Sequence, residues 1–293
     1  MIGSMKKERM IGRIVLTVVL ALLSFVIVAP FLLAILTSLK PLAGIQSADF
    51  TILPKEWHFE NYLLAMQQGD WPRYFANSIT VTLTTVFFAV LFNTLAGFAF
   101  ARFEFKGRKF LFFFLLIGIM VPAQVTLIPT FFMMKQFPLV GGNNLFGMGG
   151  TGFYDTLPGL IIPYVAGSFG VFLCRQFFLG FPRSLDEAAE IDGANKWQLY
   201  FRIYLPMSKP IIATLIITKS SQIWNDYLWP VILTTSNENR TIQLGLTIFR
   251  NETVIQWHYL MAATMIVIAP LVVMFFFLQK YYVGGIMAGG VKG

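Results

Sequence analysis

The sequence predicts an all-α polytopic membrane protein with six transmembrane helices, on three observations. Apolar residues make up 56% of the 293 positions and charged residues only 12%, against roughly 45–50% and about 25% in soluble domains. Six apolar stretches are long enough, or nearly so, for a hydrocarbon core that takes about 20 residues per helix. The basic residues gather on one side of those stretches. Together these describe a chain built to meet lipid.

The spans fall at residues 14–39, 75–101, 110–134, 157–173, 211–233 and 259–278. The first follows Lys6, Lys7, Arg9 and Arg13. Its apolar run is longer than a cleaved signal segment and no small-residue cleavage site follows, so it reads as a retained anchor. Pro122, Pro129, Pro163 and Pro270 interrupt the third, fourth and sixth spans, a feature tolerated where backbone faces a cavity or a neighbouring helix. Residues 40–74, with Trp57, His58 and Trp71, suit an interfacial cap. Residues 135–156 hold Gly141-Gly142-Asn143-Asn144 and Gly149-Gly150-Thr151-Gly152, a run that resists regular structure. It serves either as a flexible connector or as a contact for an external partner or solute.

The basic residues set the orientation. Fifteen of the 22 lie at the N-terminus, in the first inner loop (Arg102, Lys106, Arg108, Lys109), around residues 175–209 and at the C-terminal end. Six lie on the other side, and Lys219 lies within the fifth span. The positive-inside rule then places both termini and the central loop in the cytoplasm. The net charge of +8 is therefore topological, and no nucleic-acid partner is needed to explain it. The single Cys174 excludes an internal disulfide and a cysteine metal cluster, and His58 and His258 have no partner spacing. Residues 147–152 are glycine-rich but lack the lysine of a nucleotide-binding loop. Neither catalysis, a metal nor a cofactor is expected in this chain.

The most informative segment is a charged island, EAAEIDGANKWQLYFRIYLPMSKP, from Glu187 to Pro210. Ser184 and Glu187 have capping-box spacing, which predicts a short helix from Leu185 to about Asp192. Gly193 can take the left-handed conformation that closes it. Asn195 can cap a second short helix carrying Trp197, Leu199, Tyr200, Phe201 and Ile203. Pro182 separates the hairpin from the fourth span, and Pro206 and Pro210 stiffen the entry to the fifth. Ala188 and Ala189 leave one side of the first helix narrow, so it could slot into a groove and offer Glu187 to an arginine. Spacing alone fits an ordinary amphipathic surface helix equally well.

The island resembles the EAA loop of permease subunits in bacterial binding-protein-dependent ABC importers. Glu187, Ala188, Ala189, Asp192, Gly193, Ala194, Phe201, Ile203, Leu205, Pro206 and Pro210 match without a gap. Other motifs resemble the sugar-importer, maltose-permease-like branch. They are Asn77-Ser78, Phe105-Lys106-Gly107-Arg108, Ile128-Pro129, Arg175-Gln176-Phe177-Phe178, Trp224-Asn225-Asp226 and the C-terminal Gly289-Gly290-Val291-Lys292-Gly293. The similarity runs from about residue 60 to the end. The glycine-rich insertion near 141–152 and Lys219 depart from the pattern.

The resemblance implies one permease domain over 1–293, with its core at about 75–280 and a coupling loop at 182–210. It implies that Glu187, Ala188, Ala189, Asp192, Gly193, Ala194, Leu205 and Pro206 couple to a cytoplasmic ATPase dimer that holds the ATP and Mg. The remaining implied partners are a second homologous permease, an extracytoplasmic solute-binding protein, lipid and a sugar. The glycine-rich tail from Tyr282 onward could also touch the ATPase. The implied location is the bacterial inner membrane.

Within the fifth span, Lys219, Gln222 and Asp226 have i, i+3, i+7 spacing and share one helix face bordered by Asn225. A mid-membrane lysine costs about 2.5–3.5 kcal/mol on insertion scales. Lys219 therefore either lines a solute path, favouring an anionic sugar such as a uronate, or is partnered or reaches the inner interface along its stem. Trp224, Tyr227 and Trp229 either stack on sugar faces or anchor the span at the interface. An ion-driven secondary carrier would use Lys219 and Asp226 directly but would usually carry an internal repeat, and none is found. A scaffold without transport would not need the polar face. An ABC permease for a non-sugar solute is the rival within the class.

Overall fold

The computed structural model describes residues 2–47, 49, 51–250 and 254–290, and side chains over residues 10–279 of these. Val291, Lys292 and Gly293 of the C-terminal motif lie outside the described residues. No strand occurs among them, only an isolated bridge between Arg250 and Ile255. The chain forms two compact units, Met1–Gly69 with Leu246–Ile268, and Asp70–Gly245 with Ala269–Gly293.

The first unit opens with α1 (Ile2–Ser38), whose most apolar window is 0% buried. Two short helices follow, α2 (Leu42–Gln46) and α3 (Glu60–Gln67). Of the C-terminal carbonyls that any helix leaves open, that of Ser38 is met here by a side chain of α3. Asn61 donates to the carbonyls of Ser38 (2.8 Å) and Lys40 (3.0 Å). The start of α3 thus caps the end of the first helix.

The second unit is organised on α4 (Trp71–Arg102), 32 residues long. Its buried positions, among them Tyr74, Ser78, Thr85, Ala89, Asn93, Gly97 and Ala101, recur every three or four residues, the stripe of a helix with one packed face. Next come α5 (Arg108–Met120) and α6 (Ala123–Lys135), which meet at 106°. Val121 is extended ahead of Pro122, as a residue before proline must be to avoid its ring. The stretch expected as the third span is therefore not one straight helix. The fourth consists of α7 (Leu157–Ile161) with a 3₁₀ turn to Tyr164, then α8 (Ser168–Leu179), bent by 42°. It runs past the expected end at Leu173, taking in the buried Cys174 and Phe178.

The loop after α8 contains α9 (Ser184–Ile191), α10 (Lys196–Gln198), a π-helical turn over Leu199–Tyr204, and α11 (Leu205–Met207). Then come α12 (Lys209–Trp224), α13 (Leu228–Leu233), α14 (Ile242–Gly245) and α15 (Trp257–Gly290). Among the described residues three helices are long and apolar enough to cross a bilayer, and up to five spans result if each bent pair counts as one. The fifth expected span, 211–233, is divided into α12 and α13 by Asn225, Asp226 and Tyr227.

In membranes helices associate through close packing of small residues and through interhelical hydrogen bonds, and α4 uses both. A Cβ built on Gly97 would lie 2.4 Å from Cys174 Cβ, and one on Gly170 would lie 2.3 Å from the Asn93 amide. At each contact a glycine of one helix makes room for a side chain of the other. Thr94 Oγ1 and the Tyr200 hydroxyl lie 2.7 Å apart, joining α4 to the π turn.

Candidate functional site

The hairpin between α8 and α12 is held from inside and presents its outer face to solvent. Ala189 is buried, while Glu187, Ala188 and Ile191 are exposed. The helix ends in a complete Schellman motif: Gly193 at φ +74° donates to Glu190 O (3.0 Å), and Ala194 to Ala189 O (2.9 Å). Asp192 is the exposed C-cap residue. Asn195 opens the second leg with a capping box, its Oδ1 accepting from Gln198 N–H (2.8 Å) and Gln198 Oε1 accepting from Asn195 N–H (2.8 Å). An ion pair between Lys196 and Glu190 ties the two legs.

One expectation here is corrected. Ser184 does not cap α9: it lies inside the helix, Arg183 occupies the N-cap, and no side-chain cap bond forms. The turn starts earlier, with Pro182 O accepting from Leu185 N–H and Arg183 O from both Asp186 and Glu187 N–H. Those carbonyls already order the first turn, and Glu187 is left to face outward.

The inner face packs on an aromatic core of Phe98, Phe178, Tyr200 and Tyr204, each at most 3% exposed. The Phe98 ring lies 4.8 Å from Tyr204 and 5.3 Å from Tyr200 by centroid, within the range of favourable aromatic pairs. Beneath α9, Arg102 Nη1 lies 3.2 Å from Asp186 Oδ2. Its Nη2 donates to the carbonyls of Phe178 (2.8 Å) and Phe181 (2.7 Å). The Tyr204 hydroxyl donates to Asp186 Oδ1 (2.6 Å). Burial, and next the bond to Asp186, push the Tyr204 phenol above its ordinary value, so it keeps its donor proton. Leu205 and Pro206 form the short α11 that turns the chain into α12. The second leg leaves Trp197 and Phe201 stacked on its exposed side, 6.2 Å apart.

The fifth-span residues occupy a different place. Gln222 lies 13 positions beyond Lys209 in α12, about 20 Å along the helix axis at 1.5 Å per residue. There a cavity of about 370 Å³ opens between α6, the turn at Tyr164, the end of α12 and the start of α13, a volume within the range of small-molecule sites. Gln124, Thr126, Thr130, Gln222, Asn225 and Asp226 supply its polar lining. Lys219 does not line it; its Nζ donates to Gln222 Oε1 (3.1 Å) and sits 6.0 Å from the Tyr164 ring centroid. Among the described residues no carboxylate comes within 4.0 Å of that ammonium.

The expected shared helix face is corrected at Asp226, because α12 stops at Trp224. Asp226 instead accepts from the Tyr164 hydroxyl (2.7 Å) and from Trp229 N–H (3.3 Å), which caps the start of α13. Trp224 and Trp229 are 5% and 2% exposed, Trp229 forming part of the cavity wall, so neither ring face lies open to a sugar here. Trp229 spends its N–H on Gly159 O at 3.1 Å. Tyr227 stays 41% exposed.

The glycine-rich segment is irregular and internally bonded. Gly141, Gly142, Gly147, Gly149 and Gly152 all have positive φ. Asn143 Nδ2 donates to Lys135 O (2.9 Å) and Phe137 O (3.0 Å), and its Oδ1 accepts from Gly150 N–H (2.9 Å). Asp155 fastens this segment to residues 235–239 through Thr235 N–H (3.1 Å), Ser236 N–H (3.2 Å) and the Asn239 amide. Sequence reading missed Arg102, Asp186, Tyr204, Tyr164 and Asp155. The one available signal was an arginine, Arg102, directly closing an apolar run.

A binding-protein-dependent transport system inner membrane component matches residues 93–287. The chain belongs to that family of membrane transport subunits. The arabinooligosaccharides transport system permease protein of Bacillus subtilis is 32% identical over 284 residues, covering 96% of each chain. The diacetylchitobiose uptake system permease protein of Streptomyces coelicolor is 31% identical, covering 92% of this chain and 86% of that one. Among solved structures, a bacterial ABC transporter involved in the import of the acidic polysaccharide alginate has a similar fold. Its TM-score is 0.78 at 23% identity, over 93% of this chain and 96% of that one.

Proposed function

We propose that this chain is one of two permease subunits of an ABC importer for sugars or oligosaccharides, crossing the inner membrane six times with both termini in the cytoplasm. In this reading the third and fourth spans are the bent pairs and the fifth is the broken pair α12 and α13. Glu187, Ala188, Ala189, Asp192, Gly193, Ala194, Leu205 and Pro206 form the ATPase-coupling knuckle. Gln222, Asn225 and Asp226 line the translocation path, and Lys219 stands beside it on Gln222. ATP and Mg belong to the partner ATPase, and an external binding protein delivers the solute.

The observation that carries this reading is the build of the hairpin. A Schellman-closed helix offers Glu187 and Ala188 outward, while its inner face is bonded into α4 and α8. Such an element passes a two-state motion of a docked partner to the helices behind it. The oligosaccharide substrates named for the two relatives support the sugar class, as does a polar cavity of about 370 Å³ rich in amide and hydroxyl groups.

The test is uptake into proteoliposomes holding this chain and its companion permease, with binding protein outside. Uptake of an arabino- or chito-oligosaccharide that requires both the ATPase subunit and internal ATP supports the reading. Uptake driven by an ion gradient with neither present overturns it in favour of a secondary carrier. ATP-dependent uptake of a non-sugar alone moves the chain to another branch of the class.

A further inference from the structure

We propose that Arg102 is a positioning residue that ties the hairpin to the membrane helices, so that displacement of α9 is carried into α4 and α8. This rests on the coupling role proposed for Glu187.

Arg102 is the last residue of α4, and its side chain is 7% exposed. A single guanidinium there joins four pieces of chain. It ends α4, pairs with the Asp186 carboxylate in the first turn of α9 at 3.2 Å, and donates to the carbonyls of Phe178 in α8 and Phe181 just beyond it at 2.8 and 2.7 Å. The fourth piece is the π turn, which reaches the same carboxylate through the Tyr204 hydroxyl at 2.6 Å and places its ring 5.2 Å from the guanidinium carbon. A planar fork with several donors can hold a carboxylate and two carbonyls at once; a lysine ammonium is a point charge without that fixed geometry.

The placement gives the joint its purpose. Asp186 precedes Glu187 and is part-buried, whereas Glu187 is exposed. A pull on the outer residue therefore reaches the ion pair across one peptide unit. The aromatic packing and the Thr94–Tyr200 contact hold the second leg. Arg102 is the polar link from the first leg, the one that docks, to both α4 and α8. Buried charge pairs are weak evidence for stability and are better attested in setting register and switching. A link that fixes one helix against two others is a use of that kind.

The test uses the assembled transporter in membranes, with two cysteine reporters in separate samples. Ala188→Cys, treated with a thiol-to-amine crosslinker, reports docking of the ATPase subunit. Gln222→Cys, treated with a membrane-impermeant maleimide with and without ATP, reports whether the cavity responds. In Arg102→Met the crosslink should stay within twofold of the parent while the ATP-dependent change in labelling falls at least tenfold. Arg102→Lys should lie between, since it keeps a cation for Asp186 and loses the fork. Undiminished ATP-dependent labelling in Arg102→Met overturns the proposal. So does parallel loss of crosslink and labelling in both variants, which would make Arg102 a folding residue only. Absence of the crosslink in the parent instead removes the coupling role itself, and with it the proposal.

Discussion

The crossing of α4 and α8 is a place where one methyl group has a calculable effect. In Gly97→Ala the new Cβ would sit 2.4 Å from Cys174 Cβ and 2.9 Å from Arg175 N, against an ordinary contact of at least 3.4 Å. The helices must part by about 1 Å, and overpacking of this kind costs about 1–3 kcal/mol. Alanine returns about 0.5–1 kcal/mol of helix preference over glycine. The net loss is therefore centred on about 1 kcal/mol, roughly a fivefold change in the folded ratio.

The assay is reversible unfolding of the purified chain in mixed micelles by increasing sodium dodecyl sulfate. Gly12→Ala, whose Cβ meets nothing within 4 Å, is the control and should not destabilise. Because the clash is with a Cβ, Cys174→Ala should not rescue Gly97→Ala, while Cys174→Gly should recover part of the loss. Equal stability of Gly97→Ala and the parent, or rescue by Cys174→Ala as good as by Cys174→Gly, would refute the packing argument.

Three further outcomes follow from the geometry. Burial alone would raise the Asp155 carboxyl, but the N–H groups of Thr235 and Ser236, the Ser236 hydroxyl and the Asn239 amide hold it below its ordinary 3.8. Its anchoring is thus complete above that value and lost only as pH falls through the lower folded one. Asp155→Asn keeps the residue's tolerance of φ +52° and an acceptor oxygen but removes the charge, so Thr235 and Ser236 amides should exchange about tenfold faster at pH 7, the difference between about 1.5–3 kcal/mol for a bond to a charged group and about 0.5–1.5 for a neutral one. Unchanged exchange would contradict the anchor. At Gly193 nothing lies within 4 Å of an added Cβ, so Gly193→Ala should cost only the left-handed backbone term, about 1–2 kcal/mol, seen as faster proteolysis of the hairpin; unchanged cleavage would show the Schellman closure to be unimportant. A solute path that reaches Lys219, behind Gln222, predicts that Lys219→Met lowers uptake of a uronate-containing oligosaccharide at least tenfold more than that of a neutral one, with the Ala188→Cys crosslink intact. Equal effects on both would remove the anionic preference.

Local features were legible in the sequence, and long-range ones were not. Gly193 and Asn195 act within a few residues of themselves, so composition and spacing placed the turn and the second cap correctly. Ser184 had the right spacing too, but the turn begun by Pro182 and Arg183 had already claimed the start of the helix. Apolar runs located the spans without revealing their breaks. Asn225 and Asp226 read as a polar face because the i, i+7 rule assumes an unbroken helix, and Asp226 serves to start the next one. The joint at Arg102 depends on Asp186, 84 positions away, and no local periodicity links the two. Comparison with relatives established the family, while the packing of Tyr200, Tyr204 and Phe178 shows how this chain supports the loop.

The central claim is that a helix exposing Glu187 seats in a separate ATPase. Its most direct measurement is co-purification of the ATPase subunit with tagged Glu187→Lys, beside tagged parent, from membranes expressing the whole transporter. Reversing an exposed charge leaves the Arg102–Asp186–Tyr204 joint and the Gly193 closure in place. A drop of tenfold or more in retained ATPase, with the companion permease still bound, is the result this account predicts; retention equal to the parent would contradict it.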